Sequence, residues 1–334
     1  MKTLLITNPI DIFYLSKFEG SNGFLIINDK KTYLFTDPRY RNTAKLLENK
    51  NLKSVIYSKI EDLEKFANKH KFETIHFQTD IEYRKYLMFK RIFKNSKFRQ
   101  IKNPIHTRHI KTSQEIQALR QAQVVNEKIL HSIRKLFKVG VTEIEISNNI
   151  KIEALKQGSQ KLSFEPIVGF GKNSANIHHH PTANKLKASD VILIDMGVEI
   201  NKYQSDMSRT FLPKNANKQL LTDYQKVLDA HMHGIKQSKA GMKISQLDKE
   251  ARKFLSPDNF EHSLGHGIGI EVHEQPFMNP KSKTKLEENM AITIEPGLYK
   301  KDYGIRIEDV VIVGKQKGQS INNFPKDISD MIWT

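Results

Sequence analysis

The stretch Val191-Ile-Leu-Ile-Asp-Met-Gly-Val-Glu-Ile-Asn-Lys-Tyr-Gln-Ser-Asp-Met-Ser-Arg-Thr-Phe-Leu212 reads as two strands joined by a short turn. Each strand carries one acid in an apolar setting, Asp195 in the first and Asp206 at the start of the second. A turn centred on Ile200-Asn201 sets these acids face to face, where antiparallel partners have Cβ atoms about 4.5–5.5 Å apart. Like charges so placed are destabilising, so the pair needs a cation, a shared proton or a different register.

The arrangement recurs downstream. Ile292-Thr-Ile-Glu-Pro-Gly297 and Gly304-Ile-Arg-Ile-Glu-Asp-Val-Val311 set Glu295 against Glu308 across a loop, Lys300-Lys-Asp-Tyr-Gly304. Between the two hairpins, Glu261-His-Ser-Leu-Gly-His-Gly-Ile-Gly-Ile-Glu-Val-His-Glu274 supplies His262, His266 and His273. Its glycines loosely mimic a phosphate-cradling loop, but no helix start follows; they read instead as letting backbone approach a crowded site. Four carboxylates and one imidazole carry a formal charge that two divalent cations balance. An oxygen-rich donor set with one nitrogen suits Mn²⁺ and accepts Co²⁺ or Zn²⁺. Two such ions about 3.5–4 Å apart bridge a water, lower its pKa and polarise a carbonyl, which is metal-assisted hydrolysis.

Outward from these hairpins the chain reads as two α/β (α+β) domains. Residues 1–105 give a small α/β domain, with strands at Leu4–Thr7, Gly23–Asn28 and Thr32–Thr36 and helices near 60–70 and 81–94. Asn8-Pro9 reads as turn chemistry bounding the first strand. Residues 106–112 form a connector. From 113 to 334, Thr112 with Glu115 and Thr142 with Glu145 are capping boxes opening two helices, the second closing at Gly158. Strands follow at Ser163–Phe170, Val191–Val198 and Met207–Leu212. A helix over 218–239, one opened by Ser245 with Asp248, and strands near 260–264, 270–273, 290–295 and 305–313 repeat the order. Two helices and then strands, twice over, imply a pseudo-twofold duplication around one core.

Composition narrows the function classes. The 334 residues include no cysteine, which excludes disulfide scaffolds, thiolate zinc or iron–sulfur sites and a cysteine nucleophile. No apolar run near the N-terminus is long enough for a signal peptide or a spanning helix, so a cytoplasmic protein without membrane attachment is expected. Residues 1–110 carry 22 Lys and Arg against 11 Asp and Glu. The most basic stretch, Arg84 to Lys102, interleaves aromatics as a nucleic-acid groove does. The favoured reading is an amphipathic helix burying Tyr83, Tyr86, Leu87, Phe89 and Phe93, with no nucleic-acid partner.

Residues 113–334 resemble the pita-bread fold metallopeptidase family that contains methionine aminopeptidase, Xaa-Pro aminopeptidase and Xaa-Pro dipeptidase (prolidase). The motifs are Ile194-Asp-Met-Gly, Ser205-Asp-Met-Ser-Arg-Thr, His262-Ser-Leu-Gly-His-Gly-Ile-Gly, Val272-His-Glu, Ile294-Glu-Pro-Gly and Arg306-Ile-Glu-Asp. The first domain is similar to the creatinase/prolidase-like N-terminal domain of the proline-specific members, including Phe35-Thr-Asp-Pro-Arg-Tyr, which favours that branch. The resemblance implies five metal ligands, Asp195, Asp206, His266, Glu295 and Glu308, around a dinuclear site with a bridging hydroxide. It also makes Glu295 a proton shuttle. His178 and His273 take the places that stabilise the tetrahedral intermediate and position the scissile peptide; His262 lines the proline pocket and Arg306 orients the acids. Ile177 stands where the family has proline, and three histidines run together at 178–180. Spacing from Asp195 selects His178, with His179 the alternative and His179 and His180 expected at the solvent or cleft rim. The implied substrate is a peptide or dipeptide with proline second, cleaved by an Xaa-Pro aminopeptidase or, alternatively, a dipeptidase. The family also implies a homodimer. The helix that opens relatives' first domain is missing before Leu4, which is expected to weaken the dimer contacts. Relatives that only bind or chaperone typically lose ligands, whereas all five are present here.

Overall fold

The computed structural model describes residues 3–29, 31–102, 105–159, 161–255 and 260–333. Two compact units emerge, Met1–Arg108 and His109–Thr334. The division falls inside the stretch read as a connector, and that stretch is anchored rather than loose. Arg108 Nη1 donates to Asp11 Oδ1 at 2.8 Å within the first unit, and Lys111 Nζ to Glu274 Oε1 at 2.5 Å within the second.

In the first unit, β1 (Thr3–Ile6), β2 (Gly23–Asn28), β3 (Lys31–Thr36), β4 (Leu52–Ile56), β5 (Thr74–Gln78) and β6 (Lys97–Ile101) make a mixed sheet in the order β4-β3-β2-β1-β5-β6. Helices α1 (Pro9–Ser16), α2 (Arg41–Leu46), α3 (Ile60–His70) and α4 (Tyr83–Ile92) accompany it. The Asn8-Pro9 pair starts a helix instead of making only a turn. The Asn8 side chain accepts from the backbone N–H of Ile10 and Asp11, and proline at the first position already has a helical φ. In the basic stretch, α4 buries Phe89 and Ile92, and Phe93 caps it from inside. Tyr83 and Leu87, expected inside, are exposed, because four residues apart they share the face opposite Phe89 and Ile92. Tyr86 instead packs on Phe77 and Phe98, so these rings serve the unit's own packing.

The second unit opens with α5 (Ser113–Arg134) and α6 (Glu143–Lys156), both starting in the expected reciprocal capping boxes. Then come β7 (Lys161–Leu162), β8 (Ile167–Phe170), β9 (Ile192–Met196), β10 (Val198–Ile200), β11 (Tyr203–Gln204) and β12 (Met207–Pro213). A second helix pair, α7 (Lys218–Gln237) and α8 (Ile244–Arg252), precedes β13 (Ala291–Ile294), β14 (Gly297–Tyr299), β15 (Gly304–Arg306), β16 (Asp309–Ile312) and β17 (Gln319–Ser320). A short α9 (Ile328–Met331) leads into β18 (Ile332–Trp333), which joins β12, β9 and β8 in one sheet. Each helix pair is thus followed by a hairpin that carries an acid pair. Ile129, Ile133, Ile150, Ile192, Ile194, Val227, Ile292 and Ile294 belong to one buried cluster between helices and strands. Each such side chain contributes about 1.5–3 kcal/mol of transfer free energy.

Two expectations fail here. Helix α8 starts at Ile244 with Lys243 before it, so Ser245 lies inside the helix and caps nothing. Segments 260–264 and 270–273 are not strands. The glycine-rich chain lies along β13 through single bonds, Thr293 N–H to His266 O at 2.7 Å and Glu295 N–H to Leu264 O at 2.9 Å. It then folds back on itself, and the one bridge from 264–268 to β13 is Gly267 with Ile292. Glycine is required for this approach: a Cβ on Gly265 would stand 2.1 Å from Thr293 O, and one on Gly267 2.3 Å from Gln275 O.

Candidate metal centre

In the first acid hairpin the turn is Asn201-Lys202, with φ of 50° and 70°, and Ile200 pairs with Tyr203. The turn centre lies one residue beyond the expected place, so Asp195 faces Ser208 rather than Asp206. A partner displaced by two residues returns to the same side of the sheet, so Asp206 still shares the face of Asp195. Both acids are buried, at 9% and 4% exposure.

The second hairpin has the expected register. Ile294 pairs with Asp309 on one side and Gly297 with Arg306 on the other, which sets Glu295 opposite Glu308. The two hairpins are stitched together. Glu308 N–H donates to Ser208 O at 3.1 Å, and the Ser208 hydroxyl donates to Glu308 Oε2 at 2.9 Å. Arg306 is the hub. It donates to Asp195 Oδ2 (2.7 Å), the Ser208 hydroxyl (2.8 Å) and the Tyr299 hydroxyl (2.8 Å).

The histidine loop brings His266 to these acids. Its Nδ1 lies 3.1 Å from Gly267 O and donates to it, which leaves the Nε2 lone pair free. That Nε2 lies 3.6 Å from Asp206 Oδ2 and 3.5 Å from Glu295 Oε1. Burial, reinforced by neighbouring His273, pulls His266 down to about 3, so the ring is neutral at neutral pH. His262 is likewise lowered to about 3, by burial and then Arg306; its Nε2 accepts from the Tyr299 hydroxyl at 3.0 Å. His273 stands edge-on to His266, ring centres 4.3 Å apart. A cleft of about 380 Å³ is lined by the four acids, Arg306, His262, His266 and His273 together with His178, Phe164, Ile177 and Phe277. His178 faces this cleft. His179 does not lie at the rim: it turns inward, its Nε2 2.9 Å from Oε2 of the buried Glu143.

The acids are crowded enough to resist ionisation together. Burial pushes Glu295 up to about 8. Asp206 and Glu308 are raised too, first by burial and then by neighbouring carboxylates. Asp195 Oδ1 is buried without a hydrogen-bond partner, and ligand atoms of Asp206, His266 and Glu308 all lie within 4.8 Å of one another. Like charges, an orphaned carboxylate oxygen and a neutral imidazole nitrogen aimed at them are the donor set a divalent cation satisfies. Among the described residues, Asp206, His266 and Glu308 bring ligand atoms close enough together to hold one such ion, and Asp195 and Glu295 line the same cleft.

Residues 117–315 match metallopeptidase family M24, and residues 1–108 match the creatinase/prolidase N-terminal domain. The chain belongs to metallopeptidase family M24. As a member of that family it is a metal-dependent hydrolase, and its fold is the pita-bread one. A Mycoplasma genitalium protein provisionally named an Xaa-Pro aminopeptidase is 36% identical over 338 residues, covering 95% of this chain and 94% of that one. An Xaa-Pro dipeptidase from Bacillus anthracis superposes with a TM-score of 0.92 at 30% identity, over 99% of this chain and 95% of that one. An X-Pro aminopeptidase from Thermotoga maritima gives 0.90 at 29% identity, over 100% and 97%. Sequence reasoning singled out no role for Ser208, Thr293 or Tyr299. Ser208 and Thr293 sit two residues from Asp206 and Glu295, the spacing that returns a side chain to the same strand face. Tyr299 carried no such mark.

Proposed function

We propose that this M24 metallopeptidase is an Xaa-Pro aminopeptidase, releasing the first residue of a peptide whose second residue is proline. The observation that carries the reading is the cleft floor, where Asp206, Glu295 and Glu308 gather around the free Nε2 of His266 and Asp195 lines the same cleft. Two Mn²⁺ ions held by Asp195, Asp206, His266, Glu295 and Glu308 would lower the pKa of a water and polarise the scissile carbonyl. Glu295, at the edge of the donor set, takes the proton from the attacking water and delivers it to the proline nitrogen as that bond breaks. His178 and His273 face the same cleft and donate hydrogen bonds to the developing oxyanion and the scissile peptide. His262, backed by Tyr299 and near Phe277, offers a neutral, largely apolar wall for the pyrrolidine ring. Arg306 keeps Asp195 oriented.

Aminopeptidase is favoured over dipeptidase by the charge of the lining. A dipeptidase must bind the free carboxylate of its substrate's proline. Among the described lining residues the one permanent cation is Arg306, and its three nitrogens are engaged by Asp195, Ser208 and Tyr299. The Mn²⁺-loaded protein should therefore cleave Xaa-Pro-Yaa tripeptides with kcat/KM at least tenfold above Xaa-Pro dipeptides. Preference for the dipeptide would turn the assignment to dipeptidase, and cleavage of neither would contradict the reading. The same reading takes the protein as a cytoplasmic homodimer, as its likeness to the family implies. Among the described residues no helix is long and apolar enough to cross a membrane. Light scattering on the purified protein tests the dimer.

A further inference from the structure

The Glu295/Glu308 pair is not joined by its own ladder. Glu295 N–H turns to Leu264 O and Glu308 N–H to Ser208 O, and Pro296 has no N–H to give. The last rung before the acids is Ile294 with Asp309. Both members of that rung are gripped by one side chain from another element, His231 of α7, which is fully buried. Its Nδ1 lies 3.0 Å from Ile294 O and its Nε2 3.1 Å from Asp309 Oδ2. One turn along the same helix face, Gly234 lets α7 lie against β13, since a Cβ there would stand 2.8 Å from Ile294 Cγ2. Asp309 is held from its other sides by Arg209 Nη2 at 2.8 Å, the Ser320 hydroxyl at 2.9 Å and Lys326. Arg209 Nη1 in turn donates to Glu308 O at 2.7 Å. The rung is therefore fixed on both strands, and the acids begin one residue beyond it.

We propose that His231 is a positioning residue that clips β13 to β16 and so sets the separation of Glu295 and Glu308, and with it the site's affinity for divalent cations. This rests on the reading of these acids as metal ligands. A side chain that merely filled space could be replaced by an apolar one of similar size without effect on the ion. A clip cannot, because leucine severs the side-chain link between the Ile294 carbonyl on β13 and the Asp309 carboxylate on β16. Outer partners of this kind typically change metal affinity or activity by about 10–100-fold.

The test is calorimetric titration of Mn²⁺ into the metal-stripped full-length protein and its His231→Leu, His231→Asn and His231→Gln variants, with circular dichroism to check folding. Asparagine keeps a donor near the Nδ1 position, facing Ile294 O, and glutamine one near Nε2, facing Asp309. The leucine variant should bind Mn²⁺ about 10–100-fold more weakly than the parent, with the two amide variants in between. If the leucine variant does not fold, the amide variants decide, and weakened binding in at least one of them supports the clip. Parental affinity in every folded variant overturns it. A parent that takes up no Mn²⁺ overturns the metal-site reading itself, a result separable from the first because it appears before any substitution.

Discussion

The two acid hairpins look alike in sequence and are held in different ways. The second sets Glu295 and Glu308 directly opposite, between rungs that keep one register on both sides. In the first, Asp195 faces Ser208 and Asp206 sits diagonally, just ahead of β12, so the pair depends on an outside cation, Arg306. A crowded acid pair can thus be set face to face by strand register, with neighbours holding the flanking rung, or placed diagonally and braced at one acid by a cation. The stitches from Ser208 to Glu308 turn two separate solutions into one site.

The strongest way to break this comparison is Glu295→Gln. It removes a ligand charge and the proposed proton carrier together, so kcat should fall by about 10²–10⁴-fold. His262→Ala, which loosens substrate fit, should mainly raise KM. Equal kcat losses in the two variants would contradict the roles given to them.

The contrast also shows what the sequence could reveal. The loop from Lys300 to Gly304 bounds the second hairpin closely, so counting inward sets Glu295 opposite Glu308. In the first, a left-handed Lys202 carries no turn signal, and the turn centre lies one residue past the place the sequence suggests. The candidate acids survived because that error preserves the strand face. Other features were hidden for different reasons. Helix α1 is hidden because Asn8-Pro9 serves equally as turn chemistry and as a cap with first-turn proline. Strands β4 and β6 are short and largely uncovered, with Lys53, Lys97 and Arg99 exposed, so no alternation marks them. His231 meets Ile294 and Asp309 only through the folded chain, 63 and 78 residues away, where no local pattern points to it.

Arg306→Met tests the dependence of the first hairpin on its brace. Breaking a buried ion pair by removing one partner typically costs about 3–5 kcal/mol, and urea unfolding of the metal-stripped protein should show a loss in that range. A loss under 1 kcal/mol would mean that Asp195 is held without Arg306. Next in size is His178→Ala, which should raise the barrier to kcat by about 2.7–4 kcal/mol while leaving metal content unchanged. His179→Ala should behave oppositely. It leaves Glu143 short of a buried partner, so it should lower unfolding stability while kcat stays within about tenfold of the parent. A crippled His179→Ala enzyme beside an active His178→Ala one would reverse the two assignments. The smallest effect belongs to Thr293→Val in the second hairpin. Its hydroxyl donates to Glu295 Oε1 at 3.3 Å and accepts from His266 N–H at 3.0 Å. Leaving that buried N–H unpaired should cost about 1–3 kcal/mol in urea unfolding, less than the loss of Arg306.

The central claim is that both hairpins and His266 make one centre whose charge is completed by divalent cations. Titrating Mn²⁺ into the metal-stripped protein while following its melting temperature tests it most directly. The account predicts two ions taken up per chain and a rising melting temperature, since ligand at 100 times its Kd stabilises by about 2.7 kcal/mol. Peptide hydrolysis should return over the same range of added metal. A stripped protein that takes up no Mn²⁺, melts at an unchanged temperature and hydrolyses peptides as before would contradict it.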